Sequence, residues 1–309
     1  MTWSLVTTGL SPWLWAIFTV IAAFAQTVRN AMQRELTGSL GTAGATQVRF
    51  LFGFPFALAF LLILFWVTGA PVPQPALKFW PWVLDGALFQ IAATALMLVA
   101  MGERSFVVTI AYIKTEPIQV AIFGLIFLGD AVSWPMMLAI VVATAGVVVM
   151  SVKPGGFSQG GDSIKPTLIG LASGGMFAAS SIGYRGGILS LGLSDYVMAA
   201  TFTLVVGLAL QAALLSLYLI LRTPSVLSAI LKAWKPSLFA GFMGALASQF
   251  WFLAFALATA ASVRTLALLE VLFAQLIARF SFGQRTSRRE AAGMLLVVAG
   301  VALLILAHR

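Results

Sequence analysis

Ten long apolar runs, divided by short stretches of Pro, Gly or charge, constrain this chain more than any other feature of its sequence. They cover approximately 12–33, 43–68, 80–102, 105–128, 133–151, 166–189, 196–221, 236–258, 262–282 and 287–307. Each is close to the roughly 20 apolar residues that a helix needs to cross the hydrocarbon core of a bilayer. Composition points the same way, with 61% hydrophobic and only 9% charged residues. A soluble chain carries about 25% charged residues to cover its surface, so lipid is the expected solvent here. Several runs open with helix-start chemistry, at Ser11-Pro12, Lys165-Pro166 and the Ser287…Glu290 capping pattern. The fold class predicted is an all-α polytopic membrane protein with ten transmembrane helices.

A repeat runs through these helices. Adding 154 to a first-half number carries Pro12 to Pro166, Gly53 to Gly207, Trp80 to Trp234, Glu116 to Glu270, Ser133 to Ser287 and Gly146 to Gly300. Leu and Ala match by chance in any membrane protein, whereas Pro, Trp and Glu are scarce here. Their agreement at one ungapped offset indicates two homologous halves. The expected organisation is a first five-helix repeat at 1–151, a Gly-rich linker at 152–165 and a second repeat at 166–309. Five is an odd number, so the second half enters the membrane from the opposite side. That makes the two repeats inverted, wrapped around a central cavity, which is the symmetry alternating access exploits.

Charge and absent motifs narrow the function. The net charge of +9 fits loops held on the cytoplasmic side and in contact with membrane lipid. No basic run interleaves with aromatics as nucleic-acid binding would require, so no nucleic-acid partner is expected. Loops after odd-numbered runs hold ten Lys and Arg residues against four on the other face. The positive-inside rule therefore puts both termini on the non-cytoplasmic side of a bacterial inner membrane. There is no Cys, and the single His308 lies in the last three residues. Thiolate or histidine metal sites are thus not expected, nor any cofactor. No phosphate-binding glycine loop, HExxH or nucleophile elbow appears, so the chain does not read as an enzyme.

Polar side chains inside a membrane span are expensive, and each is a candidate for a solute path. Gln26, Asn30 and Gln33 recur at helical spacing and share one face. Gln90, Thr94, Ser248, Gln249 and Trp251 stand in the third and eighth runs, and Ser180, Ser181 and Tyr184 in the sixth. Of these, Gln26, Asn30, Gln90, Thr94, Tyr184, Ser248, Gln249 and Trp251, with Tyr112, form the predicted substrate cavity. Trp251 and Tyr184 offer surfaces for an aromatic solute. Around Pro117, whose ring removes one amide donor, cluster Lys114, Thr115, Glu116 and Gln119. A mid-membrane kink there would act as a hinge, which gives Lys114, Glu116, Pro117 and Glu270 a predicted gating or coupling role. Lys114 and Glu116 lie about 200° apart on a helix and are not expected to pair with each other. Two readings stand for Glu116 and its repeat mate Glu270. They either carry protons, or lock helix packing through a cation such as Lys114, Arg264 or Arg49; the second carries more weight. Trp13, Trp15, Trp80, Trp82, Trp134 and Trp234 lie near run ends, where aromatic belts sit. The small residues Ser173-Gly174-Gly175, Gly53, Gly146, Gly207 and Gly300 read as close helix contacts.

The segment Lys114-Thr115-Glu116-Pro117, followed by Phe127-Leu128-Gly129-Asp130, Ser133 and Gly146-Val147, resembles the fourth and fifth helices of EamA-type transporters of the drug/metabolite transporter superfamily. The second half repeats the pattern as Glu270, Phe282-Gly283-Gln284, Ser287, Gly293 and Gly300-Val301. The resemblance implies a basket of ten helices and export of amino acids, other metabolites or drugs. Within the family the chain is most similar to bacterial exporters of aromatic and other neutral amino acids. It departs from the family in having Gly129-Asp130 and Gly283-Gln284 where Gly-Glu is common, and no proline follows Glu270. The halves are accordingly not expected to be functionally equivalent. The function expected is secondary transport, by an exporter or facilitative carrier, of a small neutral metabolite, foremost an amino acid. A multidrug exporter of cationic compounds is the first alternative; a channel, a lipid flippase or a membrane enzyme are the others. Ten spans can enclose a cavity alone, so a monomer is expected.

Overall fold

The computed structural model describes residues 12–103, 112–151, 165–273, 275–276 and 287–307, which are helical throughout with short connections and no strand. The predicted linker at 152–165 lies outside the described residues except for Lys165, as do Gly283 and the ends of the fourth and ninth runs. The helices are α1 (Leu14–Leu51), α2 (Gly53–Thr68), α3 (Phe79–Glu103), α4 (Glu116–Phe123), α5 (Trp134–Ser151), α6 (Lys165–Ser190), α7 (Tyr196–Arg222), α8 (Pro224–Lys232), α9 (Trp234–Leu257), α10 (Ala260–Leu266) and α11 (Arg288–Ala307). Five described helical runs are long and apolar enough to cross a membrane: Leu14–Thr68, Phe79–Met101, Tyr196–Arg222, Trp234–Leu257 and Arg288–Ala307. Their outward faces carry bare apolar side chains such as Leu62, Ile63, Trp66 and Leu295. Water would not tolerate so much apolar surface, and the protein is a multi-pass helical membrane protein.

Local sequence chemistry accounts for most of the boundaries. Gly41 adopts φ +67° within α1 and separates the first predicted span from the second. The first span is longer than expected, because residues 34–40 continue the helix up to that glycine. α7 starts at Asp195, whose carboxylate accepts from the amides of Val197 and Met198. α11 starts with the anticipated capping box, in which the Ser287 amide donates to Glu290 and the Glu290 amide to Ser287 Oγ. α4 ends in a π-helical turn, Gly124–Leu128, closed by Gly129 at φ +67°.

The fourth and ninth spans differ from expectation. Pro117 does not kink a continuous helix; it occupies the first turn of α4, where a missing amide costs nothing. The interruption precedes it, at Lys114-Thr115, where the Thr115 amide reaches only three residues back to Tyr112. The second half does the same without a proline. After α10 the chain tightens into a 3₁₀ turn at Ala267–Leu269, immediately before Glu270. Subtracting 154 maps that turn onto 113–115, so both repeat-related glutamates follow a helix interruption at the same place.

The most extensive packing joins α1 to α9, α3 to α6 and α5 to α11. Under the offset of 154 the first two contacts exchange with each other, and the third maps onto itself. Small residues permit these approaches. A Cβ at Gly146 would stand 2.7 Å from the carbonyl oxygen of Gly293, and one at Gly300 would stand 2.5 Å from the amide nitrogen of Ala143. On α6, Gly174 abuts the carbonyl of Ile113, and Gly183 abuts the backbone of α3 at Trp82 and Gly86. Of the tryptophans expected at the membrane interface, one is packed inside and one is half-buried against a neighbouring helix. Trp15 is buried, and the Trp82 indole lies where a side chain at Gly186 would be. Trp80, Trp134 and Trp234 are exposed as an aromatic belt requires.

Candidate functional site

Residues from before and after the 152–165 segment meet in a buried polar cluster. Glu270, 3% exposed, accepts from Lys114 Nζ at 2.5 Å, Gln26 Nε2 at 2.9 Å and Asn30 Nδ2 at 3.2 Å. Glu116, likewise 3% exposed, pairs through Oε1 with Arg264 Nε at 2.9 Å. Ser181 Oγ sits beside that pair and accepts from Arg264 Nε at 2.9 Å. Each ion pair takes its carboxylate from one half and its cation from the other. The cations are not repeat mates: Lys114 precedes Glu116 by two residues, whereas Arg264 precedes Glu270 by six. Lys114, in the turn before α4, pairs with Glu270 rather than with Glu116 two residues on. The helix interruptions set the glutamates at the ends of tightened turns, and the preceding segments carry the partner cations.

Aromatic side chains close one side of the cluster. The Arg264 guanidinium stacks 4.6 Å from the centre of the Trp251 ring and 5.4 Å from that of Phe255. Trp251 Nε1 donates to Gln26 Oε1 at 3.1 Å, which links the aromatic wall to the Glu270 network. Tyr184 packs against Phe252 with ring centres 4.6 Å apart, in space left by Gly86 and Gly207. Two adjoining cavities result. The first is lined by Gln26, Arg49, Gln90, Ser180, Ser181, Tyr184, Ser248, Trp251 and Arg264 among others. The second is lined by Gln26, Arg29, Asn30, Lys114, Glu116, Arg264 and Glu270 with Met97, Ile113 and Phe177. Each has free space for little more than a water molecule, so this is a closed arrangement.

Most residues anticipated for a cavity therefore meet in space: Gln26, Asn30, Gln90, Tyr184, Ser248 and Trp251 line it, together with Lys114, Glu116 and Glu270. Thr94 is buried beside it and accepts from Arg49 Nη1 at 3.1 Å. Tyr112 and Gln249 stand apart from the lining. Tyr112 packs on α6 at Gly170, and Gln249 donates to Thr201 Oγ1 on α7 at 2.8 Å. Pro117 is buried at the start of α4 and also lies outside the lining. Sequence reasoning passed over Arg29, and treated Arg49 and Arg264 only as possible counter-ions. The signal was present, since an arginine inside an apolar run is itself anomalous.

Residues 13–152 match the profile of the EamA-like transporter family. This agrees with the resemblance carried by Lys114-Thr115-Glu116-Pro117, which lies within the matched residues. No curated protein matches the sequence. Among solved structures, one titled only "Crystal structure of protein" superposes with a TM-score of 0.66 at 17% identity, covering 96% of this chain and 96% of that one. The architecture is thus shared along nearly the whole length.

Proposed function

We propose, from the premise of an EamA-like transporter match over residues 13–152, that this protein is a secondary transporter, an exporter or facilitative carrier, of small neutral metabolites. Amino acids, including aromatic ones, are the foremost candidates. Its ten spans form two inverted five-helix repeats in a bacterial inner membrane, with both termini on the non-cytoplasmic side, and it acts as a monomer. The observation that carries the reading is the reciprocal pairing of Glu116 with Arg264 and Glu270 with Lys114 across one interface.

Alternating access separates the halves on one side and then the other. Each separation must open ion pairs whose members belong to different halves. Leaving one buried charge without its partner costs about 3–5 kcal/mol. A solute that brings its own ammonium and carboxylate offsets that cost on both sides at once, and an α-amino acid has this composition. The Trp251, Phe252 and Phe255 rings supply surface for an aromatic side chain, while Gln26, Gln90 and Ser248 supply amide and hydroxyl contacts. The paired helix interruptions before Glu116 and Glu270 support the reading further, because discontinuous helices at corresponding places in two halves mark transporter binding sites.

The test is counterflow. Proteoliposomes loaded with unlabelled phenylalanine or leucine are diluted into trace labelled amino acid, with and without a pH gradient. Saturable accumulation of label is expected. Label that equilibrates without a transient overshoot would indicate a channel, and no entry of any amino acid would refute the substrate assignment.

A further inference from the structure

The cluster holds more positive charge than its carboxylates neutralise. Glu116 and Glu270 are matched by Arg264 and Lys114, yet Arg29 and Arg49 are buried in the same place at 1% and 2% exposure. Among the described residues neither has a carboxylate within ion-pair distance. Arg29 donates from Nη2 to Asn30 Oδ1 at 2.6 Å, while its Nε and Nη1 have no hydrogen-bond partner. Arg49 donates from Nη1 to Thr94 Oγ1, while its Nε has none. The two side chains run side by side over α9. A Cβ at Gly244 would stand 3.3 Å from Cδ of Arg29 and 3.5 Å from Cγ of Arg49. Arg29 lines one of the two adjoining cavities and Arg49 the other.

Helix packing alone gives no reason for this arrangement. Two guanidinium groups buried near each other repel, and burial without an ion-pair partner is costly for each. An apolar pair of the same volume would pack as well. Guanidinium N–H groups, however, match the geometry of an oxyanion and bind it strongly where water is excluded. We propose that Arg29 and Arg49 form an oxyanion subsite, which receives the carboxylate of the transported solute or another oxyanion in its place. The proposal rests on the cavity being the solute site. It adds that an anionic group on the solute is required, and that purely cationic compounds are rejected. Glu116 and Glu270 remain engaged with Arg264 and Lys114 until the halves separate; the free donors of Arg29 and Arg49 are the first to meet the anion.

The experiment is thermal unfolding of the purified protein in detergent with a matched panel: phenylalanine, 3-phenylpropionate, phenethylamine, 3-phenylpropanamide and inorganic phosphate. The wild type is expected to gain stability from oxyanions and nothing from the amine or the amide. Stabilisation by the carboxylates but not by phosphate identifies an organic acid or amino acid as the source, and the converse identifies a phosphate-bearing solute. Arg29→Met and Arg49→Met are each expected to weaken the effective oxyanion at least about tenfold. The same variants, without ligand, should unfold at the wild-type temperature or above it, because an uncompensated buried charge has gone. A structural arginine would instead lower that temperature. Stabilisation by phenethylamine equal to that by 3-phenylpropionate, unchanged affinity in both variants, or no stabilisation by any oxyanion would overturn the subsite. Oxyanion binding without counterflow would refute transport and leave the subsite standing, whereas counterflow of amines alone would do the reverse.

Discussion

Replacing Glu270 by glutamine removes one charge from the centre of the protein while keeping the shape of the side chain. The carboxylate is 3% exposed and accepts from Lys114 at 2.5 Å, Gln26 at 2.9 Å and Asn30 at 3.2 Å. A glutamine oxygen still accepts from one amide, so most of the loss falls on Lys114, left as a buried cation without a counter-ion. Breaking a buried pair in this way costs about 3–5 kcal/mol. At roughly 2 °C per kcal/mol for a large domain, the apparent unfolding midpoint in detergent falls by about 6–10 °C. Removing Lys114 as well, in Lys114→Met/Glu270→Gln, deletes both charges and is expected to recover most of that loss. Scanning the wild type, both single variants and the double variant at one scan rate gives the coupling directly. Additive losses, with the double variant as unstable as the sum of the singles, would refute the ion pair as the determinant. The same cycle at Glu116 and Arg264 carries a further neighbour in Ser181 and is expected to couple less cleanly.

Three further outcomes follow from the same geometry. Counterflow by Glu116→Gln and Glu270→Gln across a pH series keeps the wild-type pH dependence if both carboxylates act as counter-ions to Arg264 and Lys114; a flattened profile in either would make that glutamate a proton carrier. Trp251→Ala removes the ring beneath Arg264 and the donor to Gln26, and should weaken aromatic amino acids about two- to tenfold relative to leucine in competition assays. Gly146→Leu drives a side chain into the backbone of α11 at Gly293, 2.7 Å away, and should destabilise the protein by more than the roughly 1–3 kcal/mol of ordinary overpacking, read as a lowered midpoint. Gly53→Ala, whose nearest neighbour stands at 3.5 Å, is the tolerated control in the same scan.

Several features were legible in the residues alone. The lipid environment and the helical class follow from composition and run length, because a bilayer filters each segment by its own hydrophobicity. The capping box at Ser287 and Glu290, and the close contacts at Gly146 and Gly300, were also readable, since each depends on a local pattern or on the size of one residue. The resemblance to EamA-type transporters rested on the short run around Glu116, and the family match covers that run. Less legible were the interruptions. A proline announced the first, although the break falls just before it, and nothing announced the second, at Ala267–Leu269.

The sequence by itself determined the solvent, the helical segments and the offset of 154 at which the residues of the two halves agree. It supplied Glu116, Glu270, Lys114, Arg264, Arg29 and Arg49 without stating which would meet. Only the tertiary structure decided that Glu116 pairs with Arg264 and Glu270 with Lys114, and that Arg29 and Arg49 are buried near each other with, among the described residues, no carboxylate in ion-pair distance. Hydrophobicity is a property of one segment and survives a reading along the chain. Charge pairing depends on distances of a few ångströms between residues far apart in sequence, such as Lys114 and Glu270. Those distances exist only once the helices have packed.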